Sequence, residues 1–158
     1  MVNLYAHMQK EEEKMRKQTI ADHCKNTAKV AVERIGIRDF YHTIYLSALL
    51  HDMGKTGDAY QDYIMKAANG ENVIRGSVNH TFAGVIYILE KFHTEKKSYE
   101  SLTSELIAYA IGAHHGLFDC ISIERKNGFQ HRLEKEGLNY EEVRERFLNI
   151  ISEKEIEK

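Results

Sequence analysis

Histidines and one aspartate recur along this chain in an order that suits metal binding. Two single histidines alternate with a His-Asp and a His-His doublet: His23, His51-Asp52, His80 and His114-His115. Imidazole and carboxylate are natural ligands of Mn, Fe, Co, Ni and Zn ions, and one carboxylate can bridge two ions. A lone histidine is most often a surface or hydrogen-bonded residue, and we assign that role to the histidines outside the ordered set: His7, His42, His93 and His131.

Both doublets fall at the ends of predicted helices. The apolar run "YHTIYLSALL" predicts a core helix over roughly residues 40–53, with Asp39 as its cap and Gly54 as its stop. A second long helix is predicted over "SYESLTSELIAYAIGAHHG", with Ser101 or Thr103 near its start, and it ends at the His-His doublet. Neighbouring side chains on a helix diverge by about 100°. Adjacent ligands therefore converge on one centre most easily at a helix terminus, where the backbone can bend, or they serve two ions side by side.

Helical patterns cover most of the remaining chain. The predicted helices are "TIADHCKNTAKVAVERIG", which ends at Gly36, "GDAYQDYIMKAANG" with Asp58 as its cap, "HTFAGVIYILEKFH", which His80 opens, and "NYEEVRERFLNIISEKEIEK". The segment "ENVIRGSVN" is predicted to be a loop or weak strand, and "LFDCISIERKNGFQ" is the least helical part. The chain has no proline and is rich in helix formers. We therefore expect an all-α bundle of about five to seven helices.

Length and composition indicate one soluble globular domain over residues 1–158. The apolar share is 42% and the charged share 29%, and no apolar stretch approaches the roughly 18 residues that span a bilayer. The charged start lacks the apolar centre of a secretory signal, and Cys24 and Cys120 form no CxxC pair, so a reducing cytoplasm is expected. The net charge of −2 provides no global attraction to nucleic acid, although bound cations or a local basic patch could supply it.

Four of these segments carry a family resemblance. "HDMGK", together with "DHCKNTAKVA", "NHTFAG" and "AHHGLFD", resembles the HD superfamily of metal-dependent phosphohydrolases. Within it, the chain is most similar to the HD nuclease domain of the CRISPR-associated type I helicase-nuclease. The early "YAH…Q…ADH" segment and the apolar residue and Asp119 after "HHG" favour that branch, and the resemblance runs from Tyr5 to about Asp119.

The resemblance implies a role for each residue of the ordered set. His23, His51 and Asp52 match the ligands of one ion. Asp52 is expected to bridge to a second ion. The residues that match the ligands of this second ion are His80, His114 and His115. Lys55 matches a lysine that holds the phosphate or the transition state; the alternative is a surface lysine in a helix-ending turn. The implied cofactors are one or two divalent ions: Mn, Ni, Co, Fe, Zn or Mg.

The sequence departs from the family pattern at one position. A further aspartate from a later helix usually completes the first metal site, whereas Asp119 is the only aspartate after His115 and lies too close to the doublet. Two explanations stay open. Either the first site lacks a ligand, or the chain is a truncated piece of a longer domain or of a helicase fusion.

The resemblance implies a nuclease that cleaves single-stranded DNA, or RNA, in CRISPR interference. Its expected partners are the DNA strand, a helicase domain or subunit and the CRISPR surveillance complex, with no membrane. Lysines and an arginine outside the ordered set are candidate groove contacts, although a solvated charged face is the favoured explanation for them: Lys91, Lys96, Lys97, Arg125 and Lys126. The alternatives are an HD-type nucleotidase or cyclic-nucleotide phosphodiesterase, and a non-catalytic helicase-binding module. A nucleotidase would enclose its substrate, whereas a nuclease needs an open groove.

Overall fold

The computed structural model describes residues 3–12, 14–117, 120–121, 127–134 and 137–157. Within these ranges the chain forms one antiparallel hairpin, eight α-helices and two short 3-10 turns. The strands are β1 (Tyr5–Glu11) and β2 (Lys14–Thr19). The helices are α1 (Ile20–Ile35), α2 (Tyr41–Leu50), α3 (Asp58–Ala68), α4 (Ala83–Phe92), α5 (Tyr99–Gly112), α6 (Gly128–Leu133), α7 (Tyr140–Ile150) and α8 (Glu153–Ile156). The 3-10 turns are Arg38–Phe40 and Met53–Thr56.

The mostly helical architecture confirms the predicted fold class, with two differences in the described residues. There are eight helices rather than five to seven because two short ones, α6 with six residues and α8 with four, add to the number. Helix α6 lies partly in the segment predicted to be least helical. The hairpin was not predicted, because its charged sequence lacks the apolar alternation of a strand. No helix in the described part of the chain has the length and apolar character that crossing a membrane requires.

The end of α1 agrees with the glycine stop in the sequence, whereas the starts of α2 and α3 differ from the predicted caps. Gly36 adopts φ 66° and its N–H donates to the carbonyl of Val32, as a glycine stop predicts. Asp39 does not cap α2, since it lies inside the Arg38–Phe40 turn, and Asp58 is the first residue of α3 rather than its cap. The side chain that caps α5 is Ser98, the first residue of the predicted segment.

The hydrophobic core lies directly beneath the predicted ligands. Helices α1, α2, α4 and α5 pack on one another, and the 3-10 turn at Met53–Thr56 packs against α7. Leu49 and Leu50 are fully buried and immediately precede the His51-Asp52 doublet, and the fully buried Ile111 lies three residues before His114. Burial of each such side chain stabilises the fold by roughly 1.5–3 kcal/mol. The apolar packing therefore fixes the two helix ends that carry the doublets.

Gly54 has a different role from the one that the sequence indicated. Helix α2 ends at Leu50, before the glycine, and Gly54 lies within the Met53–Thr56 turn. A Cβ atom on Gly54 would overlap the carbonyl oxygen of His80. Glycine is thus needed here because the turn and the backbone of His80 approach closely, which brings Asp52 and His80 to the same place.

Candidate metal centre

Three side chains converge on one carboxylate oxygen of Asp52. The Oδ2 atom lies 2.9 Å from His23 Nε2, 3.0 Å from His51 Nε2 and 2.9 Å from Lys55 Nζ. Asp52 is only 2% exposed. A buried carboxylate needs partners of this kind, because an unpaired buried charge is strongly unfavourable.

Local structure explains how His23, His51 and Asp52 meet. His23 lies in the first turn of α1, where Thr19 caps the helix by accepting a hydrogen bond from the Asp22 N–H. His51 occupies the C-cap position of α2, and Asp52 follows it. Since α1 packs along α2, the start of one helix meets the end of the other. The predicted convergence of an adjacent pair at a helix terminus is confirmed.

A second group of histidines lies beside Asp52, and one of them faces its other oxygen. His114 Nε2 lies 3.7 Å from Asp52 Oδ1, and His80 Nε2 lies 3.0 Å from His115 Nε2. One ligand atom from each of Asp52, His80 and His115 lies within 4.8 Å of the others. The His114-His115 doublet follows the end of α5, as predicted. His80 lies in the loop before α4, which begins at Ala83, rather than opening that helix.

Main-chain carbonyls orient three of the histidine rings. The Nδ1 atoms of His51, His80 and His114 lie 2.7, 3.0 and 2.6 Å from the carbonyl oxygens of Ala48, Val78 and Ile111. A carbonyl only accepts, so each Nδ1 carries the proton, and a neutral ring then presents the Nε2 lone pair to the centre. Ligand histidines are usually held by such a hydrogen bond to the nitrogen that does not bind the metal.

Within the described part of the chain, two buried atoms at the centre have no hydrogen-bond partner: Asp52 Oδ1 and His114 Nε2. Unpartnered buried polar atoms are rare in folded proteins, and each calls for an explanation such as a bound ion. An acceptor oxygen facing a lone pair is repulsive unless a proton or a cation lies between them. The residues present therefore fit divalent metal ions, which would replace protons on the histidines when they bind.

The electrostatic environment keeps Asp52 ionised. Burial alone raises the pKa of the Asp52 carboxyl, but interactions with His114, His23 and His51 outweigh burial and hold this pKa far below its ordinary value of 3.8. At 3.7 Å the His114 contact is too long for a hydrogen bond, so the nearest histidines to the carboxylate are His23 and His51, at 2.9 and 3.0 Å. A permanently ionised carboxylate is the form that binds a cation.

Lys55 is part of this centre rather than a surface lysine. It is 5% exposed, and its Nζ atom lies 5.3 Å from the ring centroid of Tyr60 as well as beside Asp52. Burial lowers the pKa of Lys55, but the neighbouring Asp52 carboxylate more than compensates, so the pKa is raised and the ammonium is retained. The alternative of a solvated lysine in a helix-ending turn is therefore wrong.

Sequence reasoning missed His7. The structure places its ring 4.7 Å from that of His23, and ligand atoms of His7, His23 and Asp52 lie within 4.8 Å of one another. The early "YAH" segment was the available signal, but only strand pairing shows where its histidine points. Asp119, the aspartate that follows the second doublet, lies outside the described residues.

A groove of about 460 Å³ borders the His80 and His115 side of the centre. Its lining includes Lys55, Tyr63, the exposed Arg75 and Arg132. Among the candidate groove lysines, Lys91 pairs with Glu153 and Glu157 at 2.8 Å each. Lys96 and Lys97 line a separate cavity that includes none of the predicted ligands. The predicted contacts Arg125 and Lys126 fall outside the described residues.

The histidines of the second group predict how the stability of the metal-free protein depends on pH. Burial, then the charges of His114 and His80, lower the pKa of His115 to about 4, and burial lowers the pKa of His80. Below the ordinary value of 6.5 the unfolded chain therefore binds protons that the folded chain does not. The free energy of unfolding should fall as the pH decreases from about 6.5 to about 4.

Urea unfolding of the metal-free protein at pH 7, 6 and 5 measures this dependence. His115→Gln should flatten it, whereas His131→Gln, on the exposed surface of α6, should not. Equal unfolding free energies at pH 7 and pH 5 would contradict the expectation.

Comparison with known proteins gives one family match. The model of the family described as "Cas3, HD domain" matches residues 8–154. The comparison with curated proteins finds no match.

Proposed function

The chain belongs to the Cas3 HD-domain family, and from this premise we propose that it is a metal-dependent nuclease that hydrolyses phosphodiester bonds of single-stranded DNA. Membership in the family implies a metal-dependent hydrolase of CRISPR systems. The single observation that carries the finer proposal is the position of Asp52, with one oxygen toward His23 and His51 and the other toward His114. A groove on the His80 and His115 side of the centre, lined by Lys55, Arg75 and Arg132, supports a polymeric substrate.

Each residue of the centre has a proposed role. His23, His51 and Asp52 hold one ion, and Asp52, His80, His114 and His115 hold the second. Divalent ions bound there would lower the pKa of a water molecule and neutralise charge on the phosphate. The chain's own contribution is to fix the ligands through the carbonyls of Ala48, Val78 and Ile111 and to exclude water from Asp52.

Lys55 is proposed to stabilise negative charge on the phosphate. Its ammonium lies at the boundary between Asp52 and the groove, which it lines. A cation already held in place by its carboxylate partner needs no reorganisation when charge develops on the substrate, and this is the main source of electrostatic catalysis.

The groove favours a DNA strand over an enclosed mononucleotide. Arg75 is exposed at its rim and Arg132 lines it, which suits contacts to successive phosphates. The ring of Tyr63 lines the same groove and offers a surface on which a base could stack. A helicase domain or subunit that delivers the strand, and the surveillance complex that recruits it, are proposed partners on the strength of the family alone.

Substrate choice tests the proposal. The metal-free protein is supplied with Mn, Ni or Co in turn, and cleavage of circular single-stranded DNA is compared with phosphate release from mononucleotides. We expect DNA cleavage and little phosphate release. Activity on mononucleotides alone would favour a nucleotidase, and metal binding without turnover would favour the non-catalytic binding module; either result would overturn the proposal.

Arg75 provides a graded test of the groove. Arg75→Gln should weaken binding of single-stranded DNA severalfold and reduce the slope of log affinity against log salt by about 0.7, because one phosphate contact is lost. Metal affinity should not change. Arg34→Gln is the matched control, since Arg34 is an exposed arginine in the last turn of α1, three turns from His23. Equal DNA affinity and salt slope in the two variants would exclude the groove as the strand's path.

A further inference from the structure

We infer that His7 is a direct ligand of the ion held by His23, His51 and Asp52, so that the N-terminal hairpin completes the first metal site. The inference rests on the proposed function of this centre. It goes beyond the ordered histidine set, which contributes only three protein ligands to that ion. Divalent transition metals take four or more ligands, some of which are water in catalytic sites.

His7 lies close to two of the ligands proposed for this ion. Its ring meets the ring of His23 edge-on, with centroids 4.7 Å apart and planes inclined at 77°. Ligand atoms of His7, His23 and Asp52 form a group, all within 4.8 Å of one another, that could hold one ion. The other such group is Asp52, His80 and His115, and it shares only Asp52 with the first group. His7 therefore joins His23 and Asp52 rather than the second set of histidines.

A β-bulge directs His7 toward the centre. Tyr5 pairs with Thr19 and His7 pairs with Gln18, so Ala6 is an extra residue in β1. A bulge of this kind changes the direction of the side chains that follow it, and bulges are frequent beside active sites. Ala6 is fully buried, and with this residue anchored in the core the strand presents His7 at the edge of the metal centre.

Side chains of α3 hold this part of the strand at the turn that carries Lys55. Gln61 accepts from the Tyr5 N–H and donates to the Tyr5 carbonyl, both at 3.0 Å, in the manner of a neighbouring strand. The same amide lies 2.7 Å from the Lys55 carbonyl, and the Tyr60 hydroxyl donates to the Ala6 carbonyl at 3.3 Å. His7 is therefore positioned by hydrogen bonds on its N-terminal side and by the pairing with β2.

Metal binding without nucleic acid tests the inference. The full chain is stripped of metal and titrated with Co²⁺, and the heat of binding and the visible absorption spectrum are recorded for wild type, His7→Ala and His7→Asp. In His7→Ala, the Co²⁺ affinity of one of the two sites should fall by about tenfold or more. Loss of a residue that only hydrogen-bonds a metal ligand already lowers metal affinity by about 10–100-fold. The spectrum of that site should change, and the carboxylate of His7→Asp should restore much of the affinity.

The matched control is His42→Ala, which removes another exposed histidine, at the opposite end of α2 from His51, and should leave both sites unchanged. If His7→Ala bound Co²⁺ at both sites with wild-type affinity and an unchanged spectrum, the inference would be overturned and the proposed function would stand. A wild-type chain that binds no Co²⁺ would overturn the proposed function itself.

Discussion

Replacing Asp52 with asparagine is expected to lower the rate of DNA hydrolysis by on the order of 10³-fold or more, because this carboxylate is the ligand proposed to bridge the two ions. An amide has the same shape but no charge, and its NH₂ group would point toward histidine nitrogens or toward a cation. Affinity for both ions should therefore fall together. Removal of a histidine that contacts only one oxygen of Asp52 should lower the affinity for one ion more than for the other.

The same substitution leaves Lys55 without its buried partner, which is expected to destabilise the fold by about 3 kcal/mol. A second variant, Asp52→Asn combined with Lys55→Met, separates stability from catalysis: it should recover much of the unfolding free energy in urea but none of the activity. The control is Asp62→Asn, an exposed aspartate of α3, which should retain wild-type cleavage. Activity in Asp52→Asn within about tenfold of wild type would be incompatible with a bridging role.

Gly54→Ala is expected to damage the centre without changing any ligand. The added Cβ would overlap the carbonyl oxygen of His80. The carbonyl is part of the backbone and the Cβ is bonded directly to it, so neither atom can rotate away. The Met53–Thr56 turn is also held in place by Thr56, whose buried hydroxyl lies 2.9 Å from the carbonyls of both Met53 and Val143. We expect a loss of several kcal/mol in unfolding free energy, comparable with overpacking a core, and at least a tenfold weaker second metal site.

Gly70→Ala provides the comparison for this variant. Gly70 has φ 80°, and an added methyl group would meet no atom within 4 Å. Its replacement should cost only the backbone strain of a left-handed residue, about 1 kcal/mol, and leave metal binding unchanged. If Gly54→Ala were as stable as Gly70→Ala and bound both ions normally, the close approach of the turn to His80 would not be what positions the ligands.

The helix-end doublets show why much of the centre could be predicted from sequence. An apolar helical run that stops at His51-Asp52 leaves two ionisable residues at the boundary of the core, and burial requires that they be partnered. The same reasoning applies to His114-His115 after α5. The structure brings these four residues together with His23 and His80, and the family match confirms the HD resemblance. Whether each side chain binds metal stays a prediction.

His7 and Lys55 show where sequence reasoning was insufficient. The sequence "YAHMQKEEEKMRKQT" is too polar to predict a strand, and β1 is held in place by Gln61 and Tyr60, which lie more than fifty residues away. Neither the bulge at Ala6 nor the direction of His7 follows from local propensity. Burial of Lys55 likewise depends on Asp52 and on Tyr60 of the next helix, so a short polar motif could not distinguish it from a solvated lysine.

Gly54 is a third residue whose role could not be predicted from sequence, since the sequence indicates only a helix stop. A glycine after an apolar helix usually marks a stop, and only the packed structure shows that the carbonyl of His80 occupies the space of its missing side chain. Close contacts between segments distant in sequence leave no local signal.

The most direct test of a two-ion nuclease centre is cleavage of circular single-stranded DNA as a function of bound Mn²⁺. Metal-stripped protein is titrated with Mn²⁺, and bound ions per chain and initial cleavage rate are measured on the same samples. We expect no cleavage by the stripped protein and a rate that rises as the second ion binds. Cleavage without metal, or a chain that holds two ions and leaves the DNA circle intact, would contradict this expectation.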